Sequence, residues 1–134
     1  MIVLDASAAV ELVLQTPRAG RVAARALHPA ERIHAPHLID VEVTQVLRRL
    51  VHAKELTPAR AGLALADFAE LVIERHPHHS FLGRIWSLRT SLSAYDAAYV
   101  ALSEALAAPM LTCDERLARA HGHSAKIEFV PMGS

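Results

Sequence analysis

The sequence predicts an α/β fold built on a parallel sheet. Short, β-branched apolar runs at Ile2 to Leu4, Ile33 to Ala35, Pro109 to Thr112 and Ile127 to Val130 are separated by longer stretches with helical character. Strands that alternate with helices imply crossover units and parallel pairing rather than hairpins. Hydrophobic residues fill 52% of 134 positions and aromatics only 4%, so the core is aliphatic and its many alanines let helices lie close to the sheet.

Each element has a local reason. Ile2 to Leu4 forms a strand that Asp5 ends, and Ala6 to Leu14, free of breakers, forms a helix. Pro17 opens a second helix to Leu27, with Ala23, Ala26 and Leu27 at helical spacing, and His28-Pro29 stops it. Ile33 to Ala35 is a small buried strand between Arg32 and Pro36. Leu38, Val41, Val46, Leu50 and Val51 fit a helix to about Ala53. Thr57-Pro58 starts another, with a hydroxyl cap and proline at the first helical position. Its expected stripe is Ala61, Leu65, Phe68 and Val72, with Arg60, Asp67, Glu70 and Glu74 opposite. A further run, Leu63, Leu71 and Ile73, exceeds one packing face and suggests a partner. Phe81 to Arg89 reads as a short helix and Ser93 to Ala107 as a longer one, followed by the strand Pro109 to Thr112, a helix from Asp114 to Ala120, and the strand Ile127 to Val130. Residues 1–134 read as a single domain without repeat, low-complexity tract or linker.

Composition narrows the function. Fourteen Lys and Arg balance fourteen Asp and Glu, with pI ≈ 7.1 and mean hydropathy +0.22, so the chain is neither disordered nor grossly basic. Scarce aromatics exclude a base-stacking platform. The lone Cys113 supports neither an internal disulfide nor a multi-thiolate zinc site. The segment Met1 to Asp5 has no basic region and meets a charge after four residues, so no signal peptide or membrane span is expected to begin there, and the expected location is the cytoplasm.

The chemistry lies in four acids. Asp5 and Asp114 follow strands, at the sheet edge where open parallel sheets form their binding crevices. Asp96 falls in the first turn of one helix, and Glu42, between Val41 and Val43, near the start of another. Taken singly, each has a structural account: Asp5 and Asp114 as helix caps, Asp96 in a capping box with Ser93, Glu42 on a solvated face. Four acids in one pocket would repel at neutral pH, and a divalent cation relieves that repulsion. Hard oxygen ligands suit Mg²⁺ or Mn²⁺. Such a site supports in-line displacement at phosphorus by cation-activated water, with no protein nucleophile.

The segments Ile2-Val3-Leu4-Asp5-Ala6-Ser7, Val41-Glu42-Val43, Tyr95-Asp96-Ala97-Ala98-Tyr99-Val100-Ala101-Leu102 and Leu111-Thr112-Cys113-Asp114 stand in an order and at intervals that resemble a PIN domain. More narrowly, the chain resembles VapC-type toxins of bacterial toxin–antitoxin pairs, from Val3 to Val130. The resemblance implies a five-stranded parallel sheet flanked by helices and an endoribonuclease dependent on Mg²⁺ (or Mn²⁺). It also implies an RNA substrate, a cognate VapB-type antitoxin and a homodimer. By position, Asp5, Glu42 and Asp96 match the family's acidic triad, Asp114 its fourth acid, Thr112 the hydroxyl near the last strand end, and Ser7 the small polar residue after the first aspartate. Direct metal contact is expected of Asp5 and Asp96, while Glu42 and Asp114 act directly or through water.

Among the basic residues, Arg48, Arg49, His52 and Lys54 cluster at the end of the Glu42 helix, and Arg84 and Arg89 flank Trp86. Arg49, seven residues after Glu42, shares its side of the helix and is the best candidate for an RNA phosphate contact. The histidines of His76-Pro77-His78-His79 and His121-Gly122-His123 read as turn residues rather than a transition-metal site. Cys113 lacks the partners of a nucleophile. A phosphotransfer receiver fits poorly, since the first strand ends in one acid and Lys126 is one of two lysines. A catalytically silent module that binds an antitoxin and RNA is the remaining alternative.

Overall fold

The computed structural model describes residues 1–133. Five parallel strands form one sheet: β1 (Ile2–Leu4), β2 (Ile33–Pro36), β3 (Ile73–His76), β4 (Met110–Thr112) and β5 (Ile127–Phe129). Their order is β3-β2-β1-β4-β5. Val3 pairs with His34 on one side and Met110 on the other, so β1 lies at the centre and the chain reverses its winding between β1 and β4. That switch point leaves a crevice beyond the carboxyl ends of these two strands. β1 is wholly buried, as a central strand covered on both faces must be.

Seven helices flank the sheet: α1 (Ala6–Val13), α2 (Ala19–Ala26), α3 (Ile39–His52), α4 (Pro58–Glu70), α5 (Leu82–Ser87), α6 (Ala94–Leu106) and α7 (Glu115–Ala118). α1 packs on α2, α3 and α4, while α6 packs on β1, β2 and α5. Seven successive α6 residues, Ala97 to Ser103, are buried. Their small side chains allow this helix to be enclosed on nearly all sides. No helix among the described residues is long and apolar enough to cross a membrane.

The structure departs from the sequence reading around α4. The helix stops at Glu70, and Ile73–His76 is a strand, β3, in addition to the four expected from sequence. The expected stripe is rotated. Ala64 and Phe68 are buried, whereas Leu65 is exposed and Val72 is 90% exposed. Glu74 and Ile73 belong to β3, not to a helical face. The heptad-like spacing of Ala61, Leu65, Phe68 and Val72 misled because a β-branched pair, Val72-Ile73, follows the helix without a glycine or proline to mark the break. His76 is likewise a strand residue, not a turn residue. The excess apolar run divides accordingly: Ile73 is buried, Leu71 partly covered, and Leu63 exposed.

Candidate active site

The crevice at the switch point gathers Asp5, Glu42, Asp96 and Asp114, with Ser7, Arg49, Ser93, Tyr99 and Arg116 among the other lining residues. Four separate segments deliver the acids. Asp5 follows β1, Glu42 lies in the first turn of α3, Asp96 in the first turn of α6, and Asp114 follows β4. Each acid sits near a helix N-terminus, where the backbone dipole favours negative charge.

Asp5 is the most constrained. Its Oδ1 accepts from the Ala8 amide at 2.9 Å and the Ser7 hydroxyl at 2.7 Å, and its Oδ2 accepts from the Thr112 hydroxyl at 2.5 Å. Ser7 Oγ in turn accepts from the Cys113 amide at 3.0 Å, and Thr112 Oγ1 from the Asp114 amide at 3.0 Å. Two hydroxyls thus stitch β1 to β4 across the switch point and hold one carboxylate by both oxygens. Asp5 caps α1 and lines the crevice at once. Burial nonetheless wins over these donors and pushes the carboxyl up to about 6, with the Asp96 charge adding to the shift.

Asp96 and Glu42 are also raised, first by burial. For Asp96 the Asp114 charge adds to the rise, and for Glu42 those of Asp96 and Asp5. In the capping box, Ser93 Oγ accepts from the Asp96 amide at 3.2 Å. No reciprocal bond from the Ser93 amide to the Asp96 carboxylate forms among the described residues, which leaves that carboxylate to the crevice. Glu42 Oε1 and the Tyr99 hydroxyl are each buried without a hydrogen-bond partner, and the two side chains lie near enough for each to shift the other. Asp114 Oδ1 caps α7 through the Arg116 amide at 2.9 Å, and its Oδ2 lies 3.7 Å from the Arg116 guanidinium.

The contrast with acids elsewhere is sharp. Glu11, Glu31, Asp40, Glu104 and Glu128 each meet an arginine at hydrogen-bond distance. Glu31 and Glu104 are held down to about 2 by such bonds, the N-terminal amine contributing most to Glu31 and Arg84 to Glu104. Asp5, Glu42 and Asp96 form no ion pair among the described residues. Their negative charge is gathered in a half-enclosed space whose two arginines, Arg49 and Arg116, make no ion pair with any of the three, and Glu42 Oε1 has a lone pair to offer. All-oxygen donors of this kind fit a hard divalent ion.

Of the residues singled out from sequence, all six polar ones and Arg49 come together: Asp5, Ser7, Glu42, Asp96 and Asp114 line the crevice, with Arg49 at its exposed rim, and Thr112 anchors Asp5 from behind. Sequence reasoning missed Arg116 and gave Tyr99 no role. Arg116 sits two residues after Asp114, and that adjacency was the available signal. Cys113 is buried, and burial pushes its thiol up to about 11, so it is a thiol rather than a nucleophilic thiolate at neutral pH.

A PIN-domain family model matches residues 2–122. The chain belongs to the PIN-domain family. Within it, the chain is similar to VapC ribonucleases: it is 46% identical over 130 residues to ribonuclease VapC12 of Mycobacterium tuberculosis, covering 97% of this chain and 99% of that protein. It is 43% identical over 131 residues to VapC ribonuclease Mb0985 of Mycobacterium bovis, covering 98% and 99%. The fold matches the crystal structure of Mycobacterium tuberculosis VapC20, a sarcin-ricin loop cleaving toxin, with a TM-score of 0.68 at 15% identity over 88% of this chain and 93% of that one. It also matches a chain of Rickettsia felis VapBC2 bound to a promoter DNA fragment, with a TM-score of 0.69 at 15% identity over 96% and 98%. The five-stranded parallel sheet flanked by helices is therefore that of PIN and VapC proteins.

Proposed function

We propose that this PIN-domain protein is an endoribonuclease dependent on Mg²⁺ or Mn²⁺ and the toxin of a toxin–antitoxin pair. The observation that carries the reading is the cluster of Asp5, Glu42 and Asp96, none of them in an ion pair, with Asp114 beside it, in a chain similar to VapC ribonucleases. Asp5 and Asp96 would hold the cation directly, and Glu42 and Asp114 would complete its surroundings. When bound, the ion activates water and stabilises the charge that develops at the phosphorus centre.

The chain's own residues have definable tasks. Ser7, Thr112 and the Ala8 amide fix both oxygens of Asp5, so that carboxylate need not reorganise when phosphate arrives. Burial holds the Tyr99 phenol protonated at any working pH, so it can donate to Glu42. Arg49 and Arg116, at the rim, attract an RNA phosphate toward an otherwise anionic crevice. Asp5 through Asp114 remove four of the fourteen acids from the outer surface, leaving ten against fourteen Lys and Arg. A chain neutral overall therefore presents a net positive exterior to RNA.

For partners, the reading includes a VapB-type antitoxin and a homodimer. An apolar groove between α3 and α4, lined by Leu47, Val51, Ala61 and Leu65, suits an antitoxin helix. Exposed Leu82, Trp86 and Tyr95 offer apolar surface for a second copy. A cytoplasmic location goes with this reading.

The test is cleavage of cellular RNA by purified protein with Mg²⁺, with Mn²⁺ and with EDTA, beside Asp96→Asn. Cleavage should require the ion and fall on the order of a hundredfold or more in the variant. Ion-independent cleavage, or an active Asp96→Asn protein, refutes the mechanism. Absence of cleavage by a folded protein that still binds the antitoxin selects the silent module instead.

A further inference from the structure

A second cluster of ligating side chains lies away from the acidic crevice, on the β2–β3 edge of the sheet. His34 of β2 is in register with Glu74 of β3, and His76 follows two residues on. Period-two alternation places all three on one face of the sheet. Arg75, between Glu74 and His76, turns to the other face, where it pairs with Asp40 through two bonds of 2.8 and 2.7 Å and lies over the Phe68 ring. One nitrogen from each histidine and one Glu74 oxygen lie within 4.8 Å of one another. None of the three residues lines the acidic crevice.

We propose that His34, Glu74 and His76 bind a transition-metal ion of the zinc class through His34 Nδ1, His76 Nε2 and the Glu74 carboxylate. Two imidazoles and one carboxylate select zinc-like ions over Mg²⁺, which prefers oxygen alone. Tetrahedral zinc with bonds of about 2.0–2.1 Å separates its ligand atoms by about 3.3–3.4 Å. His34 Nδ1 and Glu74 Oε2 already stand 3.6 Å apart. The two ring nitrogens, at 2.8 Å, share a proton and need to open by about half an ångström to admit the ion. Glu74 is exposed and His76 only partly covered, so both side chains can make that adjustment while buried His34 stays fixed.

The protonation states favour binding. Burial lowers the His34 pKa, and neutral imidazole is the ligating form. With the shared proton on His76 Nε2, the His34 Nδ1 lone pair faces the cluster. Binding then shifts the His76 proton to its outer ring nitrogen through solvent, and no proton is gained or lost. The ion would clamp the edge strand β3 to β2, a structural role separate from RNA cleavage.

The test uses Zn²⁺ itself, titrated calorimetrically into the purified chain and followed by thermal unfolding. One equivalent should bind, raise the unfolding temperature and persist in Asp96→Asn, which alters the acidic crevice alone. His76→Ala should weaken binding at least about tenfold, since even residues that merely orient a ligand cost that much. Glu74→Gln, at an exposed position, gives the same readout should His76→Ala fail to fold. The proposal is overturned by no zinc binding below about 0.1 mM, by affinity unchanged in the folded His76→Ala or Glu74→Gln protein, or by loss of binding in Asp96→Asn.

Discussion

Replacing Asp5 by asparagine should stabilise the cation-free protein at neutral pH, although it deletes a residue at the centre of the proposed site. Burial holds the Asp5 carboxyl at about 6 against an ordinary 3.8. A raised folded-state value means that the fold favours the protonated acid. This contribution to stability is fully present below pH 3.8, declines as pH rises, and is lost above about 6. The shift is about two units, so the ionised carboxylate costs the fold about 3 kcal/mol at pH 7.5. Asparagine removes that cost and still accepts from Ser7 and the Ala8 amide through its oxygen. Its amide meets Thr112 in place of the present 2.5 Å charge-assisted bond, which returns part of the gain. The expected net stabilisation is about 1–3 kcal/mol, or about 3–10 °C in unfolding temperature for a chain of this size. Thermal melts of both proteins in EDTA should show this difference at pH 7.5 and its disappearance near pH 4. Saturating Mg²⁺ should raise the unfolding temperature of the wild-type protein at pH 7.5 and leave Asp5→Asn nearly unmoved. A variant less stable than wild type at pH 7.5, or a difference independent of pH, would refute the claim that burying the Asp5 charge costs more than its three hydrogen bonds return.

Other consequences follow from the same geometry. Arg49→Ala should weaken RNA binding at low salt and reduce the slope of log affinity against log salt by about 1, with folding unaffected, as measured by filter binding across a salt series. Arg116→Ala should act similarly. Thr112→Val removes a fully buried hydroxyl that donates to Asp5 and accepts from the Asp114 amide; denaturant unfolding should register a loss of about 1–3 kcal/mol. Phe68→Ala empties the buried anchor of α4 and should cost about 3–5 kcal/mol in the same assay without altering ion binding.

The acids were legible from sequence because each occupies a position that local rules already single out: the residue after a strand, or the first turn of a helix. Asp5, Asp96 and Asp114 lie where capping residues occur, and the structure resolves the ambiguity differently for each. Asp5 and Asp114 cap their helices and line the crevice together. At Asp96 the backbone amide donates to the Ser93 hydroxyl, and the carboxylate lines the crevice. The strand β3 escaped notice because its sequence, Ile-Glu-Arg-His, has one apolar residue. Its polar members serve tertiary contacts, Arg75 with Asp40 and His76 with His34, that no local pattern announces. For the same reason the histidine cluster is invisible in the chain: His34 and His76 are 42 positions apart, and only the β2–β3 register makes them neighbours.

Arginine placement separates structural acids from the proposed functional ones. Arg25 joins Glu31 and Glu128, Arg75 grips Asp40, and Arg84 takes Glu104 through two bonds of 2.8 Å. Arg18 holds Glu11 at the margin of the crevice and spends another nitrogen on the Cys113 and Val130 carbonyls. That guanidinium therefore ties α1 and α2 to the ends of β4 and β5 without reaching Asp5. The fold thus pairs Glu11 and the acids away from the crevice with arginine, and leaves Asp5, Glu42 and Asp96 without an ion pair although Arg49 and Arg116 stand at the rim. An internal arginine there would lower the carboxyl pKa values and stabilise the protein, but it would also occupy the oxygens that a divalent ion needs. Under the proposed function, the same unpaired acids would suit an antitoxin: a basic side chain inserted from a second protein would neutralise them, stabilise this chain and exclude the ion in one contact.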